Sequence, residues 1–273
     1  MQVCVEIPVC LFYYERKMGK FGNFVRRIWR NLRRKSEFHG YTCDACGGEL
    51  FEYPEIRVCE KCESLLKRNE KNLCPKCGRK GVSEGVCLSC KSHAPAFEIG
   101  YSYFVYETET ASLINRMKNG QPWLTRYFGE CMADGFLEKD WVDFSSEIPL
   151  VVPVPMGEKR RKERGYNQAE RLAQAFYERL KERGAETEFN ARLLFKRMET
   201  PSQKDMDKTT RQKNAEEVYR VQDRKACKGR TVLLIDDIMT TGATGSVCAE
   251  KILKASAKRV LFITAASLAE RKN

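Results

Sequence analysis

The chain has 273 residues, with 49 Lys and Arg against 37 Asp and Glu and a net charge of +12. A charged fraction of 32% beside 42% hydrophobic residues excludes a disordered chain, and the length allows one sizeable domain plus a smaller one. No apolar stretch reaches the length of a membrane span and no secretory signal is present, so a soluble cytoplasmic protein is expected.

The positive charge is concentrated at the start. Between Arg16 and Lys35 there are nine Lys or Arg and no acid. Phe21, Phe24, Val25, Ile28, Trp29 and Leu32 recur at helical spacing among Arg26, Arg27, Arg30, Arg33 and Arg34, which predicts an amphipathic basic helix in an arm over residues 1–40. Such a face suits a nucleic-acid backbone, a membrane surface, or packing on the next domain with its charges solvated. Met18 is an alternative start.

Cysteine pairs follow. Cys43-x-x-Cys46 and Cys59-x-x-Cys62 are succeeded by Cys74-x-x-Cys77 and Cys87-x-x-Cys90. Four thiolates satisfy the tetrahedral preference of Zn²⁺, and four regular pairs make two structural four-cysteine zinc sites the simplest count. Pairing in sequence order gives tandem zinc ribbons over 41–95, and an interleaved arrangement is the alternative. Gly47 and Gly78 follow the second cysteine of a pair, where a tight knuckle turns backbone N–H groups toward sulfur. Cys4, Cys10, Cys131, Cys227 and Cys248 fall outside the pattern and are expected as free thiols in or near cores.

Lys91 to Gly100 reads as a linker into a second domain over 96–273. There Tyr101–Tyr106 reads as a strand, Thr110–Lys118 as a helix ending at Asn119-Gly120, and the residues from Pro122 to Asp134 as another helix. Ile148–Pro155 is a buried strand whose late prolines mark its exit from the ladder. Lys159 to Arg164 reads as a basic loop, Gln168–Arg183 as a helix, and Arg197 to Asn214 as a mobile or ligand-ordered loop with a short helix. Thr231–Ile235 and Arg259–Thr264 are parallel-type strands, with a helix opening near Gly245 between them. Alternating strand and helix signals predict an α/β fold with a parallel sheet covered on both faces.

Most of the chemistry is concentrated in Val232-Leu-Leu-Ile-Asp236-Asp237-Ile-Met-Thr240-Thr241-Gly242-Ala243-Thr244. A buried strand ends in two carboxylates, then a turn of small and hydroxyl residues leads into a helix. The turn can present N–H groups to a phosphate, and the acids can accept from sugar hydroxyls or hold a divalent cation. The pattern resembles the phosphoribosyl-pyrophosphate (PRPP) motif of type I phosphoribosyltransferases. That resemblance assigns Asp236 and Asp237 to the ribose and Thr240, Thr241, Gly242, Ala243 and Thr244 to the 5′-phosphate.

Taken with the cysteine pairs, Val151-Val-Pro-Val-Pro155, Arg164-Gly-Tyr-Asn-Gln168, and Arg197-x-x-Thr200-x-x-Gln203 leading to Arg211-x-x-Asn214, the chain from Cys43 onward resembles the ComF family. Members join a zinc-binding module to a type I phosphoribosyltransferase-like domain and are linked to the uptake of transforming DNA. The resemblance implies a protein that supports DNA uptake or processing and binds PRPP with Mg²⁺. Single-stranded DNA, or a helicase or other competence partner, would be its macromolecular contact. Arg197, Gln203 and Arg211 are then expected near the pyrophosphate, as in the similar loop of glutamine amidophosphoribosyltransferases, with Lys159, Arg160, Arg161 and Arg164 as further cations. Asp236, Asp237, Arg197 and Arg211 would serve catalysis if the protein turns over. No nucleobase hood or glutaminase nucleophile is recognisable. A metabolic phosphoribosyltransferase of unknown acceptor and a non-catalytic adaptor with a vestigial PRPP fold are the alternatives.

Overall fold

The computed structural model describes residues 42–52, 55–82, 84–196 and 218–269. The basic arm and the 197–214 stretch, with Arg197, Gln203 and Arg211, lie outside the described residues. The cysteine-rich part carries two short helices, α1 (Glu60–Glu63) and α2 (Leu88–Ser92). There follow β1 (Ile99–Val105), α3 (Thr108–Lys118), α4 (Leu124–Leu137), β2 (Leu150–Pro153), α5 (Glu158–Arg164) and α6 (Gln168–Glu182). Beyond these come β3 (Glu188–Phe189), β4 (Leu194–Lys196), β5 (Tyr219–Val221), α7 (Arg224–Cys227), β6 (Thr231–Met239), α8 (Ala243–Lys254) and β7 (Arg259–Ser267).

Five strands form one parallel sheet in the order β1-β7-β6-β2-β3. The run Val232–Ile235 is fully buried, as a strand covered on both faces requires. Alternate residues serve opposite cores. Leu233 and Ile235 of β6 and Leu261 and Ile263 of β7 face Leu172, Phe176, Phe128 and Phe136 from α6 and α4. Val232, Leu234, Val260 and Phe262 pack instead with Cys248 and Ile252 of α8. Burying each such large side chain contributes about 1.5–3 kcal/mol.

Each cysteine cluster joins a different face. Cys43, Ala45, Val58 and Leu66 belong to the α4/α6 core, whereas Cys74, Cys77, Cys87 and Cys90 share the α8 core with Phe97. The expected linker over Lys91–Gly100 is therefore corrected. Phe97 is 0% exposed, and Gly100 lies inside β1 with its N–H donating to Lys76 O at 2.8 Å.

Three further boundaries differ from expectation. The strand expected to stop at Ile235 runs on to Met239, because β7 continues beside it and pairs Asp236 with Thr264 and Met239 with Ser267. Helix α8 accordingly begins at Ala243. The basic stretch from Lys159 is helical. Its Lys, Arg and Glu are good helix formers, Glu158 lies in the first turn, and Gly165 ends it at φ 82° with its N–H on Arg161 O at 2.8 Å. Strand β3 and the antiparallel pair β4–β5 span only two or three residues each, too few to produce a readable period.

The second cysteine lobe seats on β1 through two glycines. A Cβ on Gly78 would stand 2.3 Å from Gly100 O, and Gly78 holds φ +70°. Gly47 occupies the equivalent knuckle of the first cluster at φ +74° with nothing within 4 Å of its Cβ position. Gly78→Ala is therefore expected to lower stability by about 2–4 kcal/mol, and Gly47→Ala by only about 1 kcal/mol, the backbone cost alone. Urea unfolding midpoints measure the difference, and equal losses would show that the contact with Gly100 contributes nothing.

Candidate functional site

Strand β2 parts from β6 at its prolines. Val154 N–H still donates to Ile235 O at 2.8 Å, and Pro155 then carries the chain away from the ladder. β6 continues beyond that point with β7 on one side only, so Asp236 and Asp237 face a crevice. The chain leaves β2 toward β3 and β6 toward β7, in opposite directions across the sheet. This is a switch point, where open α/β sheets bind their ligands.

The crevice is a cavity of about 640 Å³. Lys118, Lys159, Arg160, Lys162, Arg164 and Lys196 line it, against the three acids Glu158, Asp236 and Asp237. Six cations to three acids suit an anionic ligand. Of the sequence-derived candidates, Asp236, Asp237, Thr244, Lys159, Arg160 and Arg164 line the cavity. Thr240, Thr241, Gly242 and Ala243 are not among its lining residues, although they form the turn into α8, with Ala243 N–H on Thr241 Oγ1 at 3.3 Å. In the first turn of α8 the Ser246 N–H bonds Gly242 O at 2.8 Å and the Ala243 N–H the Thr241 hydroxyl, while those of Thr244 and Gly245 have no carbonyl one turn earlier in the helix to bond and can meet an anion. Arg161 bridges to Glu170 at 3.6 Å and is not among the lining residues.

The two acids differ in environment. Asp237 is buried, and its Oδ2 accepts from Lys118 Nζ at 3.0 Å and Gln168 Nε2 at 2.8 Å. Asp236 keeps part of its surface open and accepts from the Asp237 backbone N–H at 2.8 Å. Burial of its carboxyl, together with the Asp237 charge beside it, holds Asp236 well above the usual carboxylate range, with Lys118 and that N–H opposing the rise.

The cysteines group in sequence order, which resolves the pairing left open above. The four sulfurs of Cys43, Cys46, Cys59 and Cys62 lie within 4.8 Å of one another, as do those of Cys74, Cys77, Cys87 and Cys90. Backbone N–H groups are directed at sulfur, from Cys59 to Cys43 Sγ at 3.2 Å and from Cys87 to Cys74 Sγ at 3.3 Å. Burial opposes the Cys43 and Cys74 thiolates, but hydrogen bonds from the neighbouring N–H groups carry both down to about 7. Four converging sulfurs supported by N–H donors fit a closed tetrahedral zinc site. Cys131, Cys227 and Cys248 are free thiols in or beside the cores, as expected.

No family model matches the chain. It is 27% identical over 206 residues to competence protein ComFC of Bacillus subtilis, covering 74% of this chain and 80% of that one. The DNA utilization protein YhgH of Escherichia coli is 22% identical over 205 residues, covering 74% and 87%. The chain is a ComF homologue. Among solved structures, a glutamine PRPP amidotransferase from Bacillus subtilis complexed with ADP and GMP is similar at 15% identity and a TM-score of 0.34. That likeness covers 51% of this chain and 25% of that one.

In this ComF homologue, sequence reasoning missed Lys118, Lys196 and Tyr219, which come from α3, β4 and β5. No local pattern marks them, since only the fold brings them to the acid pair. Asn167 and Gln168 were read without a role, and the structure supplies one. Asn167 caps α6 by accepting from Ala169 N–H at 3.1 Å and donates to Val154 O at 3.1 Å. Gln168 accepts from Arg164 at 3.0 Å while donating to Asp237, and the Tyr166 hydroxyl donates to Met117 O, next to Lys118. The Arg-Gly-Tyr-Asn-Gln element thus braces Asp237 and the Lys118 end of α3 together. Among the described residues no helix is long and apolar enough to cross a membrane.

Proposed function

We propose that this ComF homologue supports the uptake or processing of transforming DNA and binds PRPP, with Mg²⁺, in the crevice at Asp236 and Asp237. The observation that carries the reading is the acid pair at the switch point, facing six cations beside the N-terminal end of α8. Asp236 and Asp237 accept hydrogen bonds from the ribose diol, and the Thr240–Thr244 turn donates N–H groups to the 5′-phosphate. Lys159, Arg160, Lys162 and Arg164 face the pyrophosphate, joined by Arg197, Gln203 and Arg211. Lys196 and Tyr219, near the two ends of the segment that carries those three, both line the cavity, which supports that role. Mg²⁺, when bound, neutralises pyrophosphate charge. In turnover, an acceptor bonds to the anomeric carbon as the bond to pyrophosphate breaks. The leaving group takes the electron pair, and the fixed cations stabilise its charge.

The similarity to a competence protein and to a DNA utilization protein supports the cellular role. The basic arm supplies nonspecific contact to single-stranded DNA, and each cysteine cluster holds one Zn²⁺. Calorimetric titration of Mg²⁺–PRPP into the zinc-loaded protein is expected to show saturable 1:1 binding, and the absence of heat would refute the site. Affinity for single-stranded DNA is expected to fall about tenfold or more between 50 and 200 mM salt, and affinity indifferent to salt would sink the DNA assignment. One observation favours the adaptor reading as a second possibility: Asp237 is already engaged by Lys118 and Gln168. That reading requires transformation to survive loss of both acids.

A further inference from the structure

Arg79 is 6% exposed although it carries a full charge. A guanidinium removed from water needs partners on its donors, because an unpaired buried charge is strongly destabilising. Its partners come from two distant parts of the molecule. Nε faces Cys77 Sγ at 3.5 Å and Nη2 faces Cys87 Sγ at 3.4 Å, one cysteine from each pair of the second cluster. Nη1 donates to the backbone carbonyl of Thr240 at 3.1 Å, 161 residues along the chain. Four thiolates around one Zn²⁺ leave an excess of negative charge, which a guanidinium lying against two of the sulfurs offsets.

The same lobe holds the other side of the turn. Ala96 N–H donates to Ser246 Oγ at 2.9 Å, and the Phe97 ring stands 3.6 Å from the position of a Cβ on Gly242. Lys76 fixes that segment in turn by donating to Phe97 O at 2.6 Å. The first cluster has a buried arginine of its own, Arg57, which bridges to Asp44 and Glu130 on the opposite face of the sheet. A buried arginine beside a cysteine cluster is therefore common to both lobes. The hydrogen bond to Thr240 belongs to Arg79.

We propose that Arg79 is a positioning residue that ties the Thr240–Thr244 turn to the second cysteine cluster, making that lobe part of the site. The inference rests on the ribose-phosphate reading of the turn. A rigid planar fork reaches both sulfurs and the carbonyl, whereas the single ammonium of lysine cannot span all three. Losing the tether frees the Thr240 carbonyl and the start of the turn, while the cluster and the sheet remain folded.

Hydrogen exchange on the full zinc-loaded chain tests this without any ligand, using Arg79→Lys, Arg79→Met and, as a control, Arg57→Lys. Both Arg79 variants are expected to retain two zinc ions and slow exchange across Val232–Ile235, while the Thr240–Thr244 amides exchange about tenfold faster than in the parent. Arg57→Lys is expected to leave the turn unchanged. Unaltered exchange of the turn in Arg79→Lys overturns the proposal, as does an equal acceleration in Arg57→Lys. If Arg79→Met sheds zinc, Arg79→Lys decides alone on the same two outcomes. Titrating the parent with Mg²⁺–PRPP separates the two readings. Binding by the parent with an unchanged turn in Arg79→Lys sinks the tether only. No binding by the parent with a loosened turn in the variant sinks the ligand assignment and keeps the tether.

Discussion

Replacing Asp236 and Asp237 together by asparagine is expected to reduce the affinity for Mg²⁺–PRPP at least about a hundredfold, since each charged hydrogen bond contributes roughly 1.5–3 kcal/mol. Stability should respond in the opposite sense at one of the two positions. Burial and the neighbouring Asp237 charge raise the folded pKa of Asp236 above its unfolded value. A carboxyl raised on folding takes up protons as the chain folds. Its penalty is absent below about pH 4, grows as pH rises through the folded pKa, and persists above it. Asp236→Asn alone should therefore stabilise the unliganded protein at neutral pH by about 1–2 kcal/mol, with the gain vanishing toward pH 4. Asp237→Asn should not stabilise, because it leaves Lys118 without the carboxylate that it meets at 3.0 Å. Calorimetric melts between pH 4 and 8 beside ligand titrations measure both effects. A stabilised Asp236→Asn protein with intact PRPP affinity would remove Asp236 from the site, and a destabilised one would refute the assigned cost of its charge.

Removing the second cysteine cluster is expected to be the more damaging of the two cluster deletions. A structural Zn²⁺ contributes about 10–16 kcal/mol of apparent folding free energy, comparable with the whole stability of a domain. Cys74, Cys77, Cys87 and Cys90 are all buried and share a core with Phe97, Val232 and Phe262. In the first cluster only Cys43 is buried, while Cys46 is exposed. The double variant Cys74→Ala/Cys77→Ala should thus drop zinc from two ions to one per chain and lower the melting temperature by more than about 10 °C. Cys43→Ala/Cys46→Ala should lose the same amount of zinc with a smaller shift. Metal analysis with calorimetry distinguishes them. Equal shifts would mean that burial of the second cluster adds nothing to the stability of the sheet.

The sequence by itself determined whatever is local. Eight cysteines in Cys-x-x-Cys pairs specify two four-sulfur sites, because each pair closes a knuckle within four residues. The apolar run into Asp236 and Asp237, followed by the Thr-Gly turn, specifies a strand, an acid pair and a helix start. The prolines after Val152 marked where β2 leaves the ladder, and that exit opens the crevice. The basic α5 was misread as a loop because its composition carries no apolar period, although its residues favour helix.

Only the tertiary structure decided which distant groups meet. Lys118 reaches Asp237 because α3 ends at the crevice, and Gln168 reaches it across 69 residues because α6 packs on β2 and β6. The two cysteine clusters read as one tandem module, yet they join cores on opposite faces of the sheet. Arg79, one residue past a knuckle glycine, meets a carbonyl 161 residues later. Strand order sets these encounters, and strand order is a long-range packing outcome that no local period or spacing encodes.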